Sequence, residues 1–155
     1  MGNISIRKVD NRSEKIDIMK KCDPAFPIKL FDRENADETV EKTVRYAEFF
    51  VAEDDTDGAV GYVAFYANDR ESSIAYISNI GVLQEHQHES IGSELLKTAF
   101  KESVSAGMKK IRLEVLSSNR RAIGFYLHWG FEYEDGTEAQ DQGGSCYMVK
   151  SLIGA

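Results

Sequence analysis

The sequence contains few prolines, few cysteines and no long apolar run, and each absence excludes a class of protein. Two prolines and 12 glycines in 155 residues exclude collagen-like and proline-rich chains. Two cysteines, Cys22 and Cys146, can form at most one bridge, so the chain is not a disulfide-dense secreted scaffold. We interpret them as two reduced thiols of a cytoplasmic protein.

Membrane segments and targeting signals are also missing from the sequence. No apolar run approaches the ~20 residues that cross a bilayer. Charged residues such as Arg7, Lys8 and Asp10 interrupt any apolar segment near the start of the chain. We therefore expect no membrane partner and a cytoplasmic location.

Positive charge is in deficit, with 19 basic against 26 acidic side chains and a formal net charge of −7. Nucleic-acid affinity comes largely from neutralising phosphates with Lys and Arg, so we expect no nucleic-acid partner. No cysteine or histidine stands at a zinc-ligand spacing, and the P-loop and dinucleotide-binding glycine motifs are absent. We therefore expect no metal.

The length and the apolar content of 42% are typical of one folded domain over residues 1–155. Residue periodicity predicts an α/β chain: a strand at Ile4 and Ile6, a helix capped by Ser13, a helix over 36–47, a hairpin of strands 48–53 and 59–67, a strand over 73–83, a helix over 91–106, a strand over 109–116, a helix from Ser118 or Asn119 to Trp129, and a strand pair 131–134 and 145–152 joined by an acidic loop over 135–144. Alternation within 73–83 predicts that Tyr76, Ser78, Ile80 and Val82 share one face. The strand–helix–strand unit requires a parallel pair between strands 73–83 and 109–116.

The segment between strand 73–83 and the following helix is the first candidate for chemistry. Its helix start offers unpaired backbone N–H groups, and the small residues Ser90, Gly92 and Ser93 would let an anion approach. Taken alone, the pattern fits equally a polar loop followed by a serine-capped helix.

Two further runs make this segment resemble a known family. The run Gln87-His-Glu-Ser-Ile-Gly92 is followed by Asn119-Arg-Arg-Ala-Ile-Gly-Phe-Tyr126 and by Trp129-Gly-Phe131. Together they resemble the GNAT superfamily of acetyl-CoA-dependent N-acetyltransferases. The resemblance implies a mixed, mostly antiparallel central sheet with a splayed parallel strand pair and helices on both faces.

The resemblance also implies where the co-substrate acetyl-CoA binds. The family pattern [RQ]-x-x-G-x-[GA] holds the pyrophosphate, and Gln87, Ser90 and Gly92 occupy its defining positions, with Ser90 in place of the first glycine. The pantetheine arm would enter the gap between the splayed strands. Gly81 in mid-strand fits either a bulge or close approach there, or a core contact without room for a side chain. The implied cofactor-binding residues are Ile80, Gly81, Val82, Gln87, His88, Glu89, Ser90, Ile91, Gly92, Ser93 and Asn119.

Catalytic residues are implied in the same way. Tyr126 matches the family's tyrosine near the thioester sulfur, where it would act as general acid, although its spacing also fits a core aromatic. Glu114 is a candidate base if its side chain faces the cleft, and otherwise it is a solvated carboxylate. Water relayed by Tyr76 or Ser78 is the alternative base.

The leading hypothesis is therefore an N-acetyltransferase acting on a small-molecule or peptide amine. A non-catalytic acyl-CoA-binding sensor is the alternative, because Ser90 departs from the motif and strand 73–83 carries no strong base. A stand-alone interaction domain is the third hypothesis and predicts no CoA binding. Members of the family often dimerise, so a homodimer is compatible with the resemblance.

Overall fold

The computed structural model describes residues 3–134 and 144–153, apart from the side chain of His88. A seven-stranded sheet has the order β1-β2-β3-β4-β5-β7-β6. Its strands are β1 (Ile4–Lys8), β2 (Glu48–Asp54), β3 (Gly58–Tyr66), β4 (Ile74–Val82), β5 (Lys110–Leu116), β6 (Glu132–Tyr133) and β7 (Ser145–Ser151). The helices are α1 (Arg12–Cys22), α2 (Ala36–Tyr46), α3 (Ile91–Ser105) and α4 (Arg120–His128). The mixed architecture predicted from the sequence is confirmed.

Local capping signals explain several of the helix ends. The Asn11 side chain accepts a hydrogen bond from the Glu14 N–H and caps α1, so the prediction of a cap at Ser13 was wrong by two residues. The chain leaves α3 and α4 through Gly107 and Gly130, which have φ angles of 88° and 96°. Glycine is the residue that adopts this left-handed conformation without steric cost.

Two apolar layers cover the sheet. On one side, which we call the core face, α3 and α4 bury side chains such as Ile91, Leu95 and Ile123 against β2 to β5 and β7. On the other side, α1 packs Ile18 and Met19 against β2 and β3. The buried face of α3 does not include Val104, which is exposed.

Within β4, a bulge changes which side chains share a face. Ala64 of β3 pairs with Asn79, but the next residue, Phe65, pairs with Ile77, so Ser78 is an extra residue. The prediction that Tyr76, Ser78, Ile80 and Val82 share one face was therefore wrong. Directly paired residues point to the same face, so Tyr76, Asn79 and Gly81 lie with Tyr62, Ala64 and Tyr66 of β3, whereas Ile77, Ile80 and Val82 lie on the core face.

The only parallel pair among the described strands is β4 with β5. Its register runs from Ile74 opposite Lys110 to Ile77 opposite Leu113 and stops there. Both strands continue, β4 against β3 and β5 against β7. A gap therefore opens between residues 78–82 and 114–116, as expected for a splayed pair.

Residues 135–143 of the predicted acidic loop lie outside the described residues. No helix in the described part of the chain is both long and apolar enough to span a bilayer.

Candidate active site

Two polar side chains flank the gap between β4 and β5. They lie on the side of the sheet opposite the core face. Asn79 is the first residue of β4 on that face beyond the last parallel pair, and Glu114 holds the same place on β5. We call this position the mouth of the gap. It places an amide and a carboxylate on either side of one opening in the sheet.

A loop at the end of β4 prepares the start of α3. A two-turn 3₁₀ segment, Gln84–Glu89, leads into Ser90, which has φ 61° and ψ 18°. The first helical bond of α3 runs from the Glu94 N–H to the Ser90 carbonyl. The N–H groups of Ile91, Gly92 and Ser93 therefore precede the helical ladder and can donate to a ligand.

The structure assigns local partners to some of the predicted cofactor-binding residues. The Gln87 side-chain N–H donates to the Val82 carbonyl oxygen at 3.1 Å, which closes the loop onto β4. A Cβ atom at Gly81 would lie 2.8 Å from the Phe26 ring, so a core contact explains this glycine. At Gly92 a Cβ would meet its nearest atom, in the Phe125 ring, only at 3.7 Å, so packing does not require glycine there.

Asn119 begins α4 and is partly occupied as its cap. Its side-chain oxygen accepts a hydrogen bond from the Ala122 N–H at 3.2 Å. The side-chain N–H groups are what Asn119 can offer a cofactor. Arg120 and Arg121, in the first turn of α4, are both exposed.

Tyr126 lies in the core of the molecule. Its ring packs edge-on against Phe125 and Phe131 with centroid distances of 5.5 Å to each. Burial raises the pKa of Tyr126 to about 12, so the phenol keeps its proton across the physiological range. Among the described residues its hydroxyl has no hydrogen-bond partner, although it is not one of the fully enclosed polar atoms.

Glu114, the candidate base, lies beside the gap between β4 and β5. It lies directly opposite Tyr147 of β7, is exposed, and accepts a hydrogen bond from the Ser145 hydroxyl. Tyr76 lies nearby on β4, and burial together with the Glu114 charge raises the pKa of the Tyr76 hydroxyl. Glu114 is thus a solvated carboxylate and a neighbour of the mouth at the same time.

Sequence reasoning gave no role to Arg112 and Tyr147, which line the same face. The Arg112 guanidinium carbon lies 3.8 Å from the Tyr147 ring centroid, and its NH2 group bonds Glu134 at 3.1 Å. It also overlooked Tyr62, whose hydroxyl accepts a hydrogen bond from the Asn79 side chain at 3.1 Å. Only the register of β3, β4, β5 and β7 brings these residues together, and no local motif signals it.

His86, in the loop before α3, lies between two carboxylates. Its Nε2 lies 2.9 Å from the Asp57 carboxylate and its Nδ1 lies 3.1 Å from the Glu89 carboxylate. Both hydrogen bonds raise the pKa of His86. Asp54, His86 and Glu89 place ligand atoms within 4.8 Å of one another and could hold a metal ion, a juxtaposition that residue spacing did not predict. His128, by contrast, lies in α4 against Trp129.

A splayed parallel pair beside an unpaired helix start defines the chain's class as the acetyltransferase fold that the sequence motifs resemble. A family model described as the acetyltransferase (GNAT) family matches residues 15–131. The chain belongs to this acyltransferase family. A comparison with curated proteins gave no match.

Solved structures with the same fold include several acetyltransferases. Nourseothricin acetyltransferase is 26% identical with a TM-score of 0.61, over 70% of this chain and 66% of that one. PaiA N-acetyltransferase of Thermoplasma acidophilum, in complex with coenzyme A, is 20% identical with a TM-score of 0.75, over 96% and 99% of the two chains. A GNAT acetyltransferase of Elizabethkingia anophelis, with acetyl-CoA bound, is 18% identical with a TM-score of 0.66, over 96% and 98%.

Proposed function

We propose that this protein transfers the acetyl group of acetyl-CoA to a primary amine of a small-molecule or peptide acceptor. The observation that carries the proposal is the gap that opens beyond Ile77 and Leu113, with the unpaired N–H groups of α3 beside it. Two similar structures hold coenzyme A or acetyl-CoA, and this supports the same co-substrate here.

Backbone groups do most of the proposed cofactor binding. The N–H groups of Ile91, Gly92 and Ser93 and the positive end of the α3 dipole suit a pyrophosphate. A helix start lets a protein of net charge −7 hold a polyanion without a large basic surface. The unpaired edges of β4 and β5 supply backbone donors and acceptors for an extended amide-bearing arm.

Tyr126 is the proposed general acid. Transfer forms one C–N bond, breaks the thioester C–S bond and leaves a thiolate that needs a proton. A thiol has a pKa near ~8.5, below that of Tyr126, so full proton transfer to a free thiolate is uphill, and the phenol acts by donating a hydrogen bond to the sulfur as negative charge develops there. Burial suits this role, because it keeps the phenol protonated until that point.

Glu114 is the proposed base, acting directly or through water. An alkylammonium has a pKa near ~10.4 and must lose a proton before its nitrogen can attack. Glu114 lies at the mouth on the side away from the core, and its hydrogen bond from Ser145 orients the carboxylate. A solvated carboxylate there can pass the proton to bulk water.

One set of observations favours a second function, acyl-CoA binding without turnover. Within the described residues β4 has no acidic side chain, and Ser90 replaces a glycine of the motif. A sensor of acyl-CoA would need the gap and the loop but neither a base nor an acid.

The test is acetyl-CoA consumption over a panel of primary amines, run beside thermal unfolding with and without acetyl-CoA. An acetyltransferase consumes acetyl-CoA with at least one amine and is stabilised by it. Stabilisation without consumption would favour the sensor. Neither effect would leave the interaction domain as the surviving hypothesis.

Replacing Tyr126 by Phe tests the acid. We expect kcat to fall about 100-fold, since general acid catalysis contributes roughly 10²–10⁴ in rate, while the KM for acetyl-CoA stays unchanged. Steady-state kinetics measure both quantities. Tyr46→Phe, on the exposed surface of α2, is the matched control, and an unchanged kcat in Tyr126→Phe would remove the assignment.

A further inference from the structure

Asn79 lies at the mouth of the gap between β4 and β5. It lies one residue beyond the Ser78 bulge, on the side of β4 opposite the core face, within the segment that has no parallel partner. Without the bulge its side chain would point to the core face instead. The extra residue therefore turns a polar side chain toward the mouth of the gap.

The orientation of the Asn79 amide is determined by a rigid partner. Its side-chain nitrogen donates to the Tyr62 hydroxyl oxygen at 3.1 Å. Tyr62 is fully buried, with its ring stacked on Phe49 at 5.0 Å between centroids and edge-on to Phe26 at 5.8 Å. Because this ring cannot move without disturbing the apolar layer on the α1 side of the sheet, its hydroxyl holds the Asn79 nitrogen in one place.

The remaining polar atom of Asn79 is its carbonyl oxygen. Among the described residues no donor reaches it, and it is not a fully enclosed atom. Asn79 itself is half-buried, so a hydrogen bond there would be formed partly out of water. On the far side of the mouth stands Glu114, the only carboxylate of β5.

We propose that the Asn79 carbonyl oxygen binds an N–H of the acceptor amine at the mouth of the gap and that the Tyr62 hydroxyl positions it. The inference rests on the proposed acetyltransferase function and names one group that binds its acceptor. The amine nitrogen is then held between an uncharged acceptor on β4 and a carboxylate on β5. The uncharged group orients the nitrogen without stabilising its ammonium form as strongly as a second carboxylate would.

Asn79→Ala and Asn79→Asp test the amine contact, using the panel amine that the wild type acetylates fastest. We expect Asn79→Ala to raise the KM for the amine about tenfold, the equivalent of one lost hydrogen bond, with the KM for acetyl-CoA unchanged. Asn79→Asp keeps an oxygen at the mouth and a partner for the Tyr62 hydroxyl. Its KM for the amine should stay within about threefold of the wild-type value. Asn68→Ala, in the exposed turn before β4, is the control.

Tyr62→Phe tests the positioning role. The variant keeps the buried ring and removes the hydroxyl, so we expect the KM for the amine to rise while kcat changes less and the KM for acetyl-CoA does not change. Tyr46→Phe is again the matched control. Thermal unfolding of each variant with acetyl-CoA shows whether the cofactor site is intact.

The outcomes separate this inference from the function on which it rests. A wild type that acetylates no amine overturns both. An active wild type whose amine KM is unchanged in Asn79→Ala overturns the inference alone. A kcat loss in Asn79→Asp as severe as in Asn79→Ala, with unchanged amine KM, would also overturn it, because Asn79 would then act as a donor to the acyl oxygen.

Discussion

Ser90 adopts the backbone conformation that a glycine would adopt more readily. Its φ of 61° lies in the left-handed region, which costs a residue with a Cβ atom about 1–2 kcal/mol. Ser73, at the turn before β4, has the same conformation with φ 58°. The departure from the family motif therefore adds a conformational cost.

A comparison of serine-to-glycine variants measures that cost. We expect Ser90→Gly and Ser73→Gly each to raise the free energy of unfolding by about 0.5–1 kcal/mol, the strain relieved minus the entropy that glycine adds to the unfolded chain. Urea unfolding measures the change. Ser105→Gly, at the end of α3, is the control and should lower stability by about 0.5 kcal/mol. A loss of stability in Ser90→Gly would contradict the strain argument.

Single residues at the site were predictable to different degrees. Tyr126 was placed correctly on its helix, because the spacing of aromatic residues is a local pattern. Its burial was uncertain, since a core aromatic and a catalytic one have the same spacing. The sequence assigned no role to Asn79. The Ser78 bulge that turns its side chain away from the core face is a property of the pairing with β3.

At the level of elements, the packing at the start of α3 leaves space beside Gly92. Packing around Gly92 leaves room for a methyl group, with the nearest atoms at 3.7 and 3.9 Å. A glycine inside a helix costs about 0.5–1 kcal/mol relative to alanine. The residue is therefore better explained by a ligand than by stability.

Gly92→Ala should separate stability from binding. We expect the free energy of unfolding to rise by up to about 1 kcal/mol and the affinity for acetyl-CoA to fall, because the added methyl group would lie beside the N–H groups proposed to hold the phosphates. Gly124→Ala is the matched control: it lies within α4, has no atom within 4 Å of the added Cβ, and should gain stability without losing affinity. Calorimetric titration gives both affinities. Equal affinities in the two variants would argue against a phosphate site at α3.

On the scale of the whole molecule, His86 joins two parts of the chain that are distant in sequence. It connects Glu89 of the loop before α3 to Asp57 of the turn between β2 and β3. Asp54 adds a further negative charge, and the Lys21 ammonium bonds the Asp57 carbonyl oxygen from α1. The His86 imidazole thus links the loop over residues 84–89 to the β2–β3 turn.

The hydrogen bonds of His86 should make the free energy of unfolding depend on pH. Hydrogen bonds to Glu89 and Asp57 raise the pKa of His86 above its ordinary value of 6.5, so the folded state binds the proton more tightly than the unfolded state. The stabilisation is complete below that ordinary value and is lost as pH rises through the raised pKa. We expect the difference in unfolding free energy between wild type and His86→Gln to be larger at pH 6 than at pH 9. Urea unfolding at the two pH values measures it, His128→Gln is the control, and a pH-independent difference would contradict the charge argument.

Much of the architecture follows from the sequence by itself. Periodicity within contiguous residues located the helices and the strands of the sheet, and the motifs around Gln87 and Asn119 indicated the family. These signals are local, so they are readable without knowing what each segment packs against. The caps at Gly107 and Gly130 belong to the same class.

Only the tertiary structure decided the geometry of the site. Four features depend on residues far apart in the chain: the end of the parallel pairing at Ile77, the bulge at Ser78, the hydrogen bond between Asn79 and the buried Tyr62 hydroxyl, and the hydrogen bonds of His86. Strand register depends on the sum of packing on both faces of the sheet, and a shift of one residue reverses which side chains point to which face. For that reason the sequence alone indicated the loop before α3 as a candidate site. The position of Asn79, the group proposed to bind the amine, could be seen only in the folded chain.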